Sequence, residues 1–348
     1  MSNILKDLGN EYAGLASDDT IFSDITSFID SGSYSLNALL SSNIYNGYAS
    51  GRIVLVGSAS QSGKSYLAIS GAKTFLDSNP EGLVFYFESE GAITKSMLEK
   101  RGIDLSRFLI IPVVTIQEFR TQVVKIIDKY EAEPRESRKP IFILLDSMGM
   151  LSTDKEIGDA QSGSEAKDMT RASTLRSVFR VLTLKLGRAN VPLFVTNHVY
   201  DAIGQGLYAA PVQSGGKSAI YAASTILTLS KAKEKDSSGN ITGAVVTITS
   251  NKSRLTRENM KIKTLIKYQG GLDRYYGLLD IAEAAGVFVK DGSRYKLKDG
   301  TKIYGKTIQE NPEKYYTKEI LDEINEYVKE AFSYGSTLEL PMQTDSEQ

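Results

Sequence analysis

Residues 57 to 65 have the types and spacing needed to hold a phosphate. The apolar run Ile53-Val54-Leu55-Val56 leads into Gly57-Ser58-Ala59-Ser60-Gln61-Ser62-Gly63-Lys64-Ser65, after which Tyr66-Leu67-Ala68-Ile69 has helical spacing. Small residues let the backbone N–H groups of such a loop curl around an anion, and a helix N-terminus adds the positive end of its dipole. Lys64 would then reach the β and γ phosphates of a nucleotide, the Ser65 hydroxyl would ligate Mg²⁺, and Tyr66 would open the helix behind them. Counted back from Lys64, the usual first glycine falls on Ser58, and Gly57 lies one residue further out. Either the loop is one residue longer than usual or Ser58 replaces the glycine.

Nucleotide chemistry also needs acids. Ile141-Phe142-Ile143-Leu144-Leu145-Asp146 is an apolar run ending in a carboxylate, as expected of a buried strand that holds Asp146 at its C-terminal edge to bind Mg²⁺ through water. Leu83-Val84-Phe85-Tyr86-Phe87 is a second such run, followed by Glu88-Ser89-Glu90. A carboxylate just past that strand would face the γ-phosphate and orient the attacking water. Spacing alone does not choose between Glu88 and Glu90. Gly215-Gly216-Lys217-Ser218 has the letters of a second phosphate loop, but it lacks the preceding strand and has Pro211 where the first glycine belongs.

These residues need a scaffold, and the rest of the chain supplies one. Apolar runs at 52–57, 82–87, 108–112, 140–146 and 192–197 alternate with helical spacing at 64–76, 115–130 and 164–188, which predicts βαβ units and a mainly parallel sheet. Further strands are expected at 224–230, 243–250 and 261–268, the first two flanking the polar turn 235–240 as a hairpin. After 272 the texture changes to a short helix at 278–285, small strands within 287–298 and a charged helix at 318–332. That is a second, smaller domain. Residues 1–30 read as an N-terminal arm and 336–348 as a disordered, mildly acidic tail.

Composition narrows the chemistry further. The 348 residues suffice for about two domains, and 41 Lys plus Arg against 42 Asp plus Glu leave a formal charge of −1. The absence of cysteine and the presence of one histidine, His198, exclude thiolate zinc sites, iron–sulfur clusters, disulfides and paired-histidine metal sites. Any Ser-His-Asp catalysis would have to run through His198. No run approaches the roughly 18 apolar residues of a spanning helix, and residues 1–10 lack a leader pattern, so a cytoplasmic protein with no membrane partner is expected.

Several short segments occur in a telling order. Gly51-Arg52-Ile53 with the phosphate loop, Tyr86-Phe87-Glu88-Ser89-Glu90-Gly91, Leu145-Asp146-Ser147-Met148-Gly149, Asp168-Met169-Thr170-Arg171-Ala172, Thr196-Asn197-His198, Gly215-Gly216 and Asn251-Lys252-Ser253-Arg254 follow one another. Together they resemble the RecA recombinase family, and within it the UvsX-type recombinases of T-even-like phages. The resemblance implies an α/β fold with a RecA-like P-loop ATPase core over 31–272, a mainly parallel sheet, an oligomerisation arm at 1–30, a small α+β C-terminal domain at 273–335 and the tail at 336–348. It implies that Glu90, rather than Glu88, is the water-activating glutamate, and that His198 senses the γ-phosphate and passes its state to the next loop. Lys252 and Arg254 match cations that reach across a subunit interface to the neighbour's ATP. Met97 stands where the family often has an aromatic near the adenine.

Two DNA-binding loops are implied between Ser152 and Asp168 and between Val199 and Lys217. The second contains Tyr200, Tyr208, Gly215, Gly216 and Lys217. Arg171, Arg176 and Arg180 on the helix after the first are expected to meet phosphates. The implied function is DNA-dependent ATP hydrolysis, to ADP and phosphate, in a recombinase. It would form a helical filament of this chain on single-stranded DNA, search double-stranded DNA and exchange strands in recombination, repair and recombination-dependent replication. ATP and Mg²⁺ are the implied cofactors, and a single-strand-binding protein and a loading mediator the implied helpers. The alternatives are a RecA-like ring ATPase acting as a helicase, or an accessory protein that binds ATP without hydrolysing it. The arm and the small C-terminal domain favour a filament over a ring, and the pairing of Glu90 with Asp146 argues against a non-hydrolysing protein.

Overall fold

The computed structural model describes residues 13, 16–17, 24–164, 168–200, 212–213, 222–236 and 238–338. In chain order the main elements begin α1 (Tyr34–Ser41), β1 (Ile53–Ser58), α2 (Lys64–Ser78), β2 (Leu83–Glu88), α3 (Lys95–Lys100), β3 (Phe108–Pro112), α4 (Ile116–Ala132) and β4 (Ile141–Asp146). They continue through α5 (Asp154–Ser162), α6 (Arg171–Ala189), β5 (Leu193–Tyr200), β6 (Thr225–Lys235), β7 (Ile241–Ser253), β8 (Lys261–Lys267), α7 (Leu278–Ala284) and α8 (Lys318–Ala331). Two compact units interleave along the chain. One comprises Met1–Phe28, Ala49–Leu55 and Leu76–Ala223, the other Ile29–Tyr48, Val56–Phe75 and Ser224–Gln348.

In the first unit the strand order is β5, β4, β2, β3. The pairs β2–β3, β2–β4 and β4–β5 are parallel, with Glu88 opposite both Asp146 and Pro112 and Leu145 opposite Val195. Strands buried on both faces read as continuous apolar runs, and Phe142, Ile143, Leu144, Phe194 and Val195 are all buried. Parallel strands aligned in this way end together, so the polar residues just past β2, β4 and β5 gather at one edge.

The stretch before α6 departs from expectation. Helical spacing from 164 predicts one long helix, whereas α6 starts at Arg171 and a separate helix, α5, precedes it. Thr153 and Glu156 explain α5: the Thr153 hydroxyl accepts from Glu156 N at 3.0 Å, and Glu156 Oε2 accepts from Thr153 N at 2.9 Å. This reciprocal cap satisfies two orphan donors at a helix start. The Thr153-Asp154-Lys155-Glu156 signal is present in the sequence, inside the stretch expected to be the first DNA-binding loop.

In the second unit β6, β7 and β8 run antiparallel, in the register Val246 opposite both Lys231 and Thr264. The hairpin forms where expected but is longer, reaching Lys235 and beginning again at Ile241. Lys231, Lys233 and Lys235 interrupt the apolar run without interrupting the backbone ladder, because alternate strand residues face opposite sides. The turn is tied by Asp236, whose Oδ1 accepts from Ser238 N and Asn240 N, both at 2.9 Å. The C-terminal elements lie in the same unit, where Asn325 Oδ1 on α8 accepts from Ile44 N at 2.8 Å. Among the described residues no helix is long and apolar enough to cross a membrane.

Candidate nucleotide-hydrolysis site

The phosphate loop belongs to the second unit. Strand β1 continues through Ser58, and α2 begins at Lys64, so the connecting loop is Ala59–Gly63. Gly57 and Ser58 are the last two residues of β1, and Ser58 stands five residues before Gly63. The turn at the far end needs positive φ at Gln61, 59°, and at Gly63, 100°. A Cβ on Gly63 would also lie 2.9 Å from Ile266 Cδ1. Lys64 is buried, and its ammonium donates to Ala59 O at 2.9 Å and to Ser58 O and Ser58 Oγ at 3.2 Å. Ser62 Oγ donates to Ala59 O at 3.0 Å. Lys231 on β6 donates to Gln61 O at 2.6 Å and tethers the crest of the loop.

The acids belong to the first unit. Asp146 is only 5% exposed, yet each carboxylate oxygen has a donor. Oδ2 accepts from the Tyr86 hydroxyl at 2.5 Å, and Oδ1 accepts from the Thr196 hydroxyl. Burial, reinforced by the charge of Asp146, pushes the Tyr86 hydroxyl far above the usual tyrosine range, so it remains a donor. Three adjacent strands thus share one carboxylate. The sequence offered no signal for Tyr86 or Thr196 as its partners, since both sit inside apolar runs.

Glu90 and His198 come together although 108 residues separate them: His198 Nε2–H donates to Glu90 Oε1 at 2.9 Å. Gly149 packs against the histidine, and a Cβ there would lie 3.2 Å from His198 Cδ2 and from Asn197 Oδ1. Glu88 behaves differently. Its carboxylate accepts from the backbone N–H groups of Glu90, Gly91 and Ala92 at 2.9–3.1 Å. The two acids that spacing could not separate therefore differ in geometry, one meeting the histidine and the other turned back onto its own loop.

Lys252 and Arg254 lie at the end of β7, past a register shift between Ser250 and Lys252 that re-aims the strand. Burial, and secondly the neighbouring Arg254 charge, hold the Lys252 ammonium below the usual lysine range. Met97 is half-buried on α3, where its N–H donates to the Thr94 cap at 3.3 Å.

Of the residues expected to meet DNA, Arg176 and Arg180 are exposed on α6. Arg171, expected with them, instead donates to Gly149 O at 3.0 Å, to Met148 O at 3.4 Å and to Leu151 O, and lies 3.7 Å from Glu156. Its guanidinium closes the turn after β4 by donating to three of its carbonyls, one of which, Met148 O, also accepts from Leu151 N at 3.4 Å. The side chain of Tyr200, and Tyr208, Gly215, Gly216 and Lys217, lie outside the described residues, as do most of the arm and of the tail.

The model of the RecA N-terminal domain family matches residues 1–273. The "Recombination and repair protein" of Enterobacteria phage T4 is 32% identical over 255 residues, which are 73% of this chain and 63% of that protein. The chain thus spans under two thirds of the phage protein's length. "Protein RecA" of Paracoccus denitrificans is 26% identical over 257 residues, 73% of this chain and 68% of that protein. Among solved structures, the RadB recombinase has the same fold, with a TM-score of 0.50 at 21% identity, covering 71% of this chain and 99% of that one.

Proposed function

Since the chain belongs to the RecA family, we propose that it is an ATP-dependent DNA recombinase that assembles as a helical filament on single-stranded DNA and exchanges strands with a homologous duplex. The observation that carries this reading is the hydrogen bond joining His198 to Glu90. An acid held there can orient a water toward a γ-phosphate, and a histidine at the root of the following loop can report whether that phosphate is present.

In this reading the backbone N–H groups of 57–65 cradle the triphosphate, and Lys64 exchanges the Ser58 and Ala59 carbonyls for phosphate oxygens. Ser65 and Asp146 offer the hard oxygen donors that Mg²⁺ prefers, and the Tyr86 and Thr196 hydroxyls keep the Asp146 carboxylate oriented. The ion, when bound, offsets charge on the phosphates. Met97 presents a polarisable thioether to the base. Lys252 and Arg254 serve a neighbouring protomer's ATP; two cations that repel one another, one partly desolvated, gain when an anion arrives between them.

DNA contacts fall to Arg176 and Arg180 and to the segments 152–168, which includes α5, and 199–217, while Arg171 holds the turn behind them. The core would span 31–272, with the arm at 1–30 joining protomers and 273–335 forming the smaller domain. Negative-stain images of the protein with single-stranded DNA and a non-hydrolysable ATP analogue test the proposal. Helical filaments are expected; rings would support a helicase instead, and neither form would support a non-hydrolysing accessory protein.

A further inference from the structure

Glu88 ends β2, and its place is fixed on every side. Glu88 O accepts from Val113 N at 3.0 Å, and its Cα lies opposite Asp146 in the parallel ladder. The next residue is stitched to the end of β4: Ser89 N donates to Asp146 O at 3.0 Å, Ser89 Oγ donates to Ser147 O at 2.8 Å, and Ser147 N donates to Ser89 Oγ at 2.8 Å. Strand β2 has ended by Ser89. The Glu88 side chain takes over, with Oε1 accepting from Glu90 N and Ala92 N, both at 3.1 Å, and Oε2 accepting from Gly91 N at 2.9 Å. Gly91, at a φ of 66°, makes the turn that brings the three N–H groups onto one carboxylate.

We infer that Glu88 is a positioning residue, whose carboxylate holds the loop so that Glu90 meets His198. The inference rests on the reading of Glu90 as the water-orienting acid, but it concerns a different group and a different act. The Glu88 carboxylate is engaged by three backbone N–H groups of its own loop, so its contribution is geometric. A carboxylate is needed because both oxygens accept; an amide has one acceptor oxygen, and its NH₂ would confront a backbone N–H. Small displacements of a reacting group are costly in rate.

The test uses the full chain and its single histidine as a reporter. In Glu88→Gln, DNA-stimulated kcat should fall between about 10- and 100-fold while KM for ATP stays within about twofold, as expected of a displaced catalytic group. The ring resonances of ¹³C-labelled His198, recorded without DNA or nucleotide, should move as they do in Glu90→Gln, and should move no further in the double variant. Unchanged kcat, or an unmoved histidine signal, in Glu88→Gln overturns the inference. If Glu90→Gln itself turns over ATP at the wild-type rate, the catalytic reading fails, and the histidine signal still decides whether Glu88 positions the loop. Should Glu88→Gln not fold, Glu88→Asp, which keeps the charge but withdraws it by one methylene, is read by the same two measurements with smaller changes expected.

Discussion

In the proposed reading, removing Glu90 should cost turnover and removing Lys64 should cost binding. Glu90→Gln keeps volume and polarity but cannot act as a base, so DNA-stimulated turnover should fall by about 100-fold or more while nucleotide still binds. Steady-state hydrolysis beside a fluorescent-nucleotide titration checks both halves. Lys64→Ala removes the cation from the phosphate loop, and the same titration should show nucleotide affinity lost; retained affinity would overturn the loop's assignment. The spacing of Glu88-Ser89-Glu90 left the roles of its acids open. In an extended strand successive side chains alternate in direction, but past the end of β2 the turn at Gly91 decides where each one points.

At the scale of the element, the connection from β1 to α2 is the most demanding local structure. Its tightest position is Gly63, at a φ of 100° and with an added Cβ 2.9 Å from Ile266 Cδ1. Gly63→Ala should destabilise the protein by about 1–2 kcal/mol, read by denaturant melts, and weaken nucleotide binding because the first N–H groups of α2 shift. The parallel strands and the helices between them were legible because their apolar periodicity is strong. The long arms of the β6–β7 hairpin were not, because its lysines alternate outward while the ladder continues beneath them. Nor was α5, a helix started by the cap at Thr153 and Glu156 rather than by an apolar face, with no buried residue of its own.

At the scale of the whole molecule, Lys252 and Arg254 distinguish a site completed by a neighbour from a self-contained one. The double variant Lys252→Ala with Arg254→Ala should fold and bind ATP but lose DNA-stimulated hydrolysis. Mixed with Glu90→Gln it should regain part of that activity, since some interfaces then pair an intact Glu90 with an intact Lys252 and Arg254. Normal hydrolysis by the double variant alone would show that these cations only decorate a strand end. Stability should also carry a signature of burial. Burial, seconded by nearby carboxylates, holds the Tyr48, Tyr86 and Tyr316 hydroxyls above the ordinary value of 10.0. Each binds its proton more tightly folded than unfolded, so stability is intact below that value and is lost as pH rises beyond it. Melting temperatures across the alkaline range should fall accordingly, with a shallower fall in Tyr86→Phe.

The sequence by itself determined that this chain has a phosphate loop on a strand–helix turn, carboxylates at strand ends and a single histidine on which any imidazole chemistry must depend. Those are local facts, set by residue type and by periods of two and 3.6. Only the tertiary structure decided that Tyr86 and Thr196 share Asp146, that Arg171 turns inward to the carbonyls of 148, 149 and 151, and that Glu90 meets His198 while Glu88 turns back onto its own loop. The Asp146 and His198 contacts depend on which strand lies beside which, and in what register. Strand order and register are settled by packing between segments 50 to 108 residues apart, so no local pattern could have shown them.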